Sequence, residues 1–278
     1  MRIIEIPRTF PPLAVAVVLA LSAGSAIARA DEAPPDRVNI PLADPSRPAK
    51  LIATCVNGRI TVHAGGAGEI AVEATGGGMQ RHNRAERDGL RRIDTGGGGL
   101  SIDQAENVIT VGAHAGMTNA DLSFQVPANT SLLLKSVMGD VVVDGISGDV
   151  EIESTNGRMT LTNLSGAALV HGTNGAIIAR FARITPDKPV SFSSLNGDID
   201  VTLPADTRAA LKMKTTNGDV YTDFDVRLQP SSAVTQESGE RGHRRISIDH
   251  VTSGTINGGG PEIQLVTFNG NIKIRKAK

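Results

Sequence analysis

Asp198 and Asp219 are the first residues of this chain whose type and setting could do chemistry, because each directly follows an Asn-Gly pair. If the turns at Gly197 and Gly218 lie side by side, the two carboxylates stack. Carboxylates that close repel unless water or a cation stands between them. The pair is therefore a weak candidate for Ca²⁺, set against the blander reading of solvated turn aspartates. The Ca²⁺-binding nonapeptide G-G-x-G-x-D is absent. Five arginines, Arg81, Arg84, Arg87, Arg91 and Arg92, crowd a Gly-rich stretch at 75–100. They form a possible anion-binding loop for a glycan or lipid headgroup, although Glu86 and Asp88 dilute its field. Cys55 is the single cysteine, so no intramolecular disulfide is available. It is either a reactive thiol or a small buried corner residue. The second reading is preferred, since Ser154, Ser194, Thr215 and Thr267 occupy its place two residues before an Asn-Gly. The six histidines form no HExxH or other short ligand spacing, and neither a G-x-S-x-G elbow nor a P-loop occurs. No catalytic residue, cofactor or structural metal is expected, although a triad assembled from distant residues is defined by geometry rather than spacing.

These residues hang on a repeating frame. Asn-Gly occurs at Asn57, Asn156, Asn174, Asn196, Asn217, Asn257 and Asn269. The second and fourth residues after each Gly are apolar almost throughout, as in Met159 and Leu161 or Ile199 and Val201, while those between are polar. Period-two alternation of this kind predicts short strands with one buried face, each opened by a Gly that takes positive φ without penalty. The steps Gly157, Gly166 and Gly175 are nine residues apart, but the residue before each turn alternates between Thr and Leu, which makes the unit 18 residues. Later steps, to Gly197 and Gly218, are longer. Two architectures use such corners: a β-solenoid with equivalent residues stacked, and an antiparallel meander with two-residue hairpins. The predicted fold is all-β, a β-solenoid resembling a right-handed parallel β-helix, with coils of about 18–22 residues; an antiparallel meander or sandwich is the alternative.

In the solenoid, Asn57, Asn156, Asn174, Asn196, Asn217 and Asn269 would form a structural corner ladder. By parity they face inward, their amides satisfying one another at a buried bend. A longer repeat links Val126-Pro127-Ala128-Asn129-Thr130 to Leu203-Pro204-Ala205-Asp206-Thr207. One stretch breaks the polar-out rule. Between Gly166 and Phe181, the outward positions include Ala167, Leu169, Ala176 and Ile178. Leu169 and Ile178 mark a possible interface, unless the leader or the insertion covers them.

Residues 1–30 read as a secretory signal peptide. Arg2 and Arg8 precede the nine-residue apolar run Leu13–Leu21, and an A-x-A site ends at Ala30. The run is too short to span a bilayer, and no span is expected in the mature chain. Residues 31–50 form a Pro-rich leader, and 51–278 the strand-repeat domain with its insertion at 75–100. Loss of Arg2, Arg8, Arg29 and Glu5 would take Lys plus Arg from 28 to 25 and Asp plus Glu from 29 to 28, a net charge of −3. That excludes nucleic acid as a partner. With no Trp and one Tyr, flat platforms for sugars are scarce.

The Gly-Asp-Val steps, TNGRMTLTNLSG, SLNGDIDVTLPADT and KTTNGDV resemble the bacterial putative-adhesin β-strand-repeat family, a domain of unknown function. The resemblance covers roughly Leu51 to Lys278. It implies an exported protein and supplies no catalytic residue. The reading is a non-enzymatic, secreted scaffold or binding protein of the cell envelope, adhesin-like, periplasmic or extracellular. Its partner would be an unknown envelope protein or glycan. The alternative is a polysaccharide-acting enzyme on a β-helix scaffold.

Overall fold

Inward Val, Ile and Leu on both sides of each corner require two sheets facing one another, and the computed structural model has them. It describes residues 36–66, 68–76, 100–113, 120–229, 232–238 and 245–278, all within the unit Pro34–Lys278. The expected signal peptide, the start of the leader and the Arg-rich loop lie outside the described residues. The first strands are β1 (Asp36–Pro41), β2 (Lys50–Asn57), β3 (Ile60–Ala64), β4 (Glu69–Gly76), β5 (Leu100–Ala105), β6 (Val108–Ala113) and β7 (Ala120–Val126). The regular coils follow as β8 (Ser131–Met138), β9 (Val141–Asp144), β10 (Val150–Asn156), β11 (Met159–Leu164), β12 (Ala168–Asn174), β13 (Ile177–Phe181), β14 (Val190–Asn196) and β15 (Ile199–Leu203). The chain ends with β16 (Ala209–Asn217), β17 (Val220–Thr222), β18 (Val226–Leu228), β19 (Ser232–Ser238), β20 (Arg245–Ile256), β21 (Glu262–Asn269) and β22 (Ile272–Lys276).

Sheet I runs β18-β20-β16-β21-β14-β12-β10-β8-β2-β6-β5, with β19 paired to β20, and sheet II runs β1-β4-β7-β3-β9-β11-β13-β15-β22-β17. Each coil contributes one strand to sheet I, turns at its corner, and contributes the next strand to sheet II. Coils pair parallel and in register: Val150 lies between Leu132 and Ala168, and Met159 between Val141 and Ile177. This is a β-solenoid, as the turn spacing predicts. Among the described residues antiparallel pairing occurs only where β1, β4, β5, β18, β19 and β20 close the ends. Ile40 and Leu42 of the leader are buried in the core, so its described part belongs to the fold.

The order in space departs from the order in sequence at two places. β2–β3 sits between β6–β7 and β8–β9, and β21–β22 sits between β14–β15 and β16–β17. The expected adjacency of Gly197 and Gly218 is therefore wrong: the corner at Gly270 lies between them. Both skipped levels coincide with the longer repeat. Thr130 donates its N–H to the Pro127 carbonyl and Thr207 its N–H to the Pro204 carbonyl, each at 3.0 Å. Each Pro-Ala-x-Thr turn thus carries the chain from sheet II to sheet I across one vacant level, later or earlier filled by a terminal coil.

The core is the space between the sheets. Val150, Ile152, Met159 and Leu161 alternate inward along one coil, and Phe124 and Phe192 are its largest fully buried side chains. Burying each such side chain stabilises the fold by about 1.5–3 kcal/mol. Phe181 meets Phe192 edge to face, with ring centroids 6.2 Å apart. No helix among the described residues is long and apolar enough to cross a membrane.

Candidate interaction face

The corner decides what faces outward, beginning with glycine. A Cβ on Gly157 or Gly175 would overlap the carbonyl oxygen of the glycine one level below, and both residues have positive φ, 142° and 139°. Glycine is needed here because the backbones approach so closely. Just inside the bend runs a row of small donors. Thr267 Oγ1 donates to the Gly197 carbonyl at 3.1 Å and Thr215 Oγ1 to the Gly270 carbonyl at 2.9 Å. Cys55 belongs to this row. It is buried, its Sγ lies 3.4 Å from the Ala120 carbonyl oxygen, and burial pushes its thiol pKa up. A raised pKa keeps the thiol protonated and unreactive.

The asparagines stand outside the bend, contrary to the parity expectation. Asn174, Asn196, Asn217 and Asn269 are exposed and Asn156 is half-buried. Parity holds as far as Ser154, which is buried; the chain then bends, and the side chain two residues on swings outward. The amides still form a ladder. Asn174 donates to Asn156 Oδ1 at 3.0 Å, Asn196 to Asn174 at 2.9 Å, Asn269 to Asn196 at 2.6 Å and Asn217 to Asn269 at 2.7 Å. Asn57 stands apart, because Met138 fills the neighbouring level and has no amide.

Beside the ladder, on the outer face of sheet I, runs a row that period-two reading of single coils does not reveal. It consists of the residue immediately before each corner pair. Across the paired strands β2, β8, β10, β12, β14 and β21 these are Val56, Val137, Thr155, Thr173, Leu195 and Phe268. The four apolar members are 46%, 43%, 47% and 47% exposed, and Met138 beside them is 51% exposed. At a strand spacing of about 4.8 Å, five steps make a strip roughly 24 Å long. Leu169 lies on the same face of β12, four residues before Thr173, and is 40% exposed. Two ion pairs lie elsewhere on this face: Lys135 with Glu153 at 2.8 Å, and Lys212 with Glu262 at 2.7 Å. The signal was available in the sequence as a column read across corners rather than along strands.

Ile178 does not join Leu169. It lies on the outer face of sheet II, half-buried between Thr160 and Asp200. On that sheet Asp198 and Asp219 are separated by Asn271. The Asn271 N–H donates to Asp198 Oδ1 at 2.8 Å, and the Asp219 N–H donates to Asn271 Oδ1 at 3.0 Å. Lys273 closes on Asp198 Oδ2 at 2.7 Å and Arg275 on Asp200 at 2.9 Å. The Asn271 N–H, followed by the Lys273 ammonium, holds the Asp198 carboxyl below the ordinary carboxylate value. Among the described residues no group of three or more His, Cys, Asp or Glu side chains could hold a metal ion.

Parallel two-sheet coils, a glycine spine and an external amide ladder define an all-β solenoid repeat protein. The sequence profile of the Toastrack DUF4097 family matches residues 60–275, and the chain belongs to that family. No curated protein matches it. Among solved structures it is similar to a putative cell adhesion protein from Clostridium sporogenes ATCC 15579, at 10% identity and a TM-score of 0.48, covering 87% of this chain and 100% of that one. It is also similar to a putative adhesin from Bacteroides fragilis NCTC 9343, at 11% identity and a TM-score of 0.31, covering 87% and 97%.

Proposed function

We propose that this protein is an exported, non-enzymatic binding scaffold of the bacterial cell envelope that docks another protein along the outer face of sheet I. The observation that carries the reading is the row Val56, Val137, Leu195 and Phe268, bridged by Thr155 and Thr173. An exposed apolar strip on an otherwise polar and charged surface is the physical mark of an interaction face. Its composition suits a protein rather than a sugar. Branched aliphatic side chains bury area without orienting hydroxyls, and Phe268 is the one aromatic in the row. Export rests on the charged, apolar and A-x-A sequence of residues 1–30.

The test is site-specific photo-crosslinking at Leu195 in the native envelope, with Thr160 on sheet II as the control position. A discrete protein adduct from Leu195 alone, abolished by Phe268→Glu without a change in melting temperature, supports the reading. Adducts from both positions alike would overturn it, as would turnover of an envelope polysaccharide by the purified protein.

A further inference from the structure

The two ends of the solenoid are closed differently. Beyond the β6–β7 level, β5 caps sheet I, and β4 with β1 cap sheet II, all antiparallel. At the other end β20 and β18 cover sheet I, but sheet II stops at β17, which pairs only with β22. Its outer edge is bare among the described residues. Val220 and Tyr221 are 36% and 53% exposed.

What that edge offers is shown by the levels within the stack, where each corner presents two backbone N–H groups to the next and the two corners nearest this edge, at Gly197 and Gly270, add two side-chain acceptors. The Gly N–H donates to the next level's Asn-position carbonyl, as Gly197 does to Asn269 and Gly270 to Asn217, at 2.9 and 3.0 Å. The N–H two residues on donates to the carbonyl following the next glycine, as Ile199 does to Asn271 and Ile272 to Asp219, both at 2.9 Å. The Asn Oδ1 accepts the next amide, and the side-chain oxygen after Gly accepts the next backbone N–H, as Asp140 Oδ1 does from Arg158 and Asp198 Oδ1 from Asn271. At the open end the corresponding groups are the Gly218 N–H, the Val220 N–H, Asn217 Oδ1 and Asp219 Oδ1. Strand alternation turns both N–H groups away from β22. None of the four has a partner among the described residues. Short length and flanking acids, the usual guards of a bare strand edge, explain exposed backbone. They do not explain a complete corner set of two donors and two acceptors.

We propose that this edge is a docking site for an extended, basic strand of a partner protein, which adds one more parallel level to sheet II through an Asn-Gly-like corner. Charge selects the occupant. Asp219, Asp223 and Asp225 are exposed around the edge. Two levels in, the comparable Asp198 and Asp200 are met by Lys273 and Arg275 of the next strand, β22. A second copy is the wrong partner. Two such edges meeting about a two-fold axis would pair antiparallel, miss the corner set and crowd six aspartates, and the opposite end of the stack is capped. Main-chain pairing supplies affinity in such strand addition, and side-chain pockets supply selectivity.

The probe is a synthetic peptide copying Glu262–Lys276, the coil that already fills the neighbouring level, titrated onto the mature chain by fluorescence anisotropy. One peptide should bind per monomer. Val220→Pro removes the outward N–H and leaves the β22 side intact, and should weaken binding at least about tenfold. Asp219→Lys should do the same at an unchanged melting temperature, and raising salt should weaken binding to the native chain. Equal binding of a scrambled peptide would overturn the proposal, as would indifference to both substitutions. So would concentration-dependent dimerisation of the native chain that Val220→Pro abolishes.

Discussion

Two rows run side by side through every corner, one inside the bend and one outside. The inner row is glycine with Ser, Thr or Cys beneath it; the outer row is asparagine. Both recur along the stack, the outer broken at Met138 and the inner hydroxyl absent at Gly172, and both connect one coil to the next, yet they hold the stack in different ways. The inner row is required because nothing larger fits: Gly139, Gly157 and Gly175 each abut the carbonyl of the glycine below. The outer row bonds in contact with water, where an amide exchanges one partner for another and gains modestly. Repetition alone therefore does not rank residues by energy. Burial and clearance do.

The comparison breaks most visibly at Gly157. Gly157→Ala places a Cβ against the Gly139 carbonyl and forces an L side chain to a φ of 142°. Overpacking and backbone strain together should cost about 3 kcal/mol or more. Urea unfolding measures it, and a loss below about 1 kcal/mol would show that coils slide apart freely. Thr267→Val is the next largest. It keeps the shape, removes the donor to the Gly197 carbonyl and leaves that part-buried acceptor without it, for about 1–2 kcal/mol. A matching loss on Ser154→Ala is not expected, because the Ser154 hydroxyl is buried without a hydrogen-bond partner.

The alternation of Ile60 and Val62, Met159 and Leu161, and Ile199 and Val201 made the strands and their inner faces legible. Neighbour order was not, for a physical reason. Each corner presents nearly the same Asn, Gly and inward aliphatics, so any coil could pair with any other. The 21-residue step from Gly197 to Gly218 looks like one more coil, but the true neighbour of Asn196 is Asn269, 73 residues away. The Pro127 and Pro204 turns mark both skips, and their meaning depends on which terminal coil fills the gap. The asparagine ladder was legible as a ladder and misplaced as buried, because parity carries no information about where a strand bends. The row from Val56 to Phe268 is spread over six strands, and no single segment displays it.

The outer row sharpens the contrast when its own members are cut. Asn174→Ala removes one donation to Asn156 and one acceptance from Asn196, both at the surface. A loss of about 0.5–1.5 kcal/mol is expected, well short of the Gly157 effect. Asn57→Ala should cost less than Asn174→Ala, since Met138 already interrupts the ladder beside it. Equal losses at the two positions, read from urea midpoints, would mean that the amides act singly rather than as a chain.

The smallest effect belongs to the acid limb of the pH profile. Asp198 accepts the Asn271 N–H and then the Lys273 ammonium, and both lower its pKa from the ordinary value of 3.8. A carboxyl depressed in the folded state contributes stability that is complete above that ordinary value. The contribution is lost as pH falls through the folded pKa. The side chain is 36% exposed, so solvent screens the pair and its contribution stays below about 1 kcal/mol. Asp198→Asn should therefore leave a shallower decline below the ordinary carboxyl value of 3.8 than the native chain shows, and added salt should narrow the difference. Denaturant midpoints across that range decide it. An unchanged acid limb would leave the coil at Asn271 held by its backbone and glycine contacts alone, which would widen the contrast between the inside of the bend and the outside.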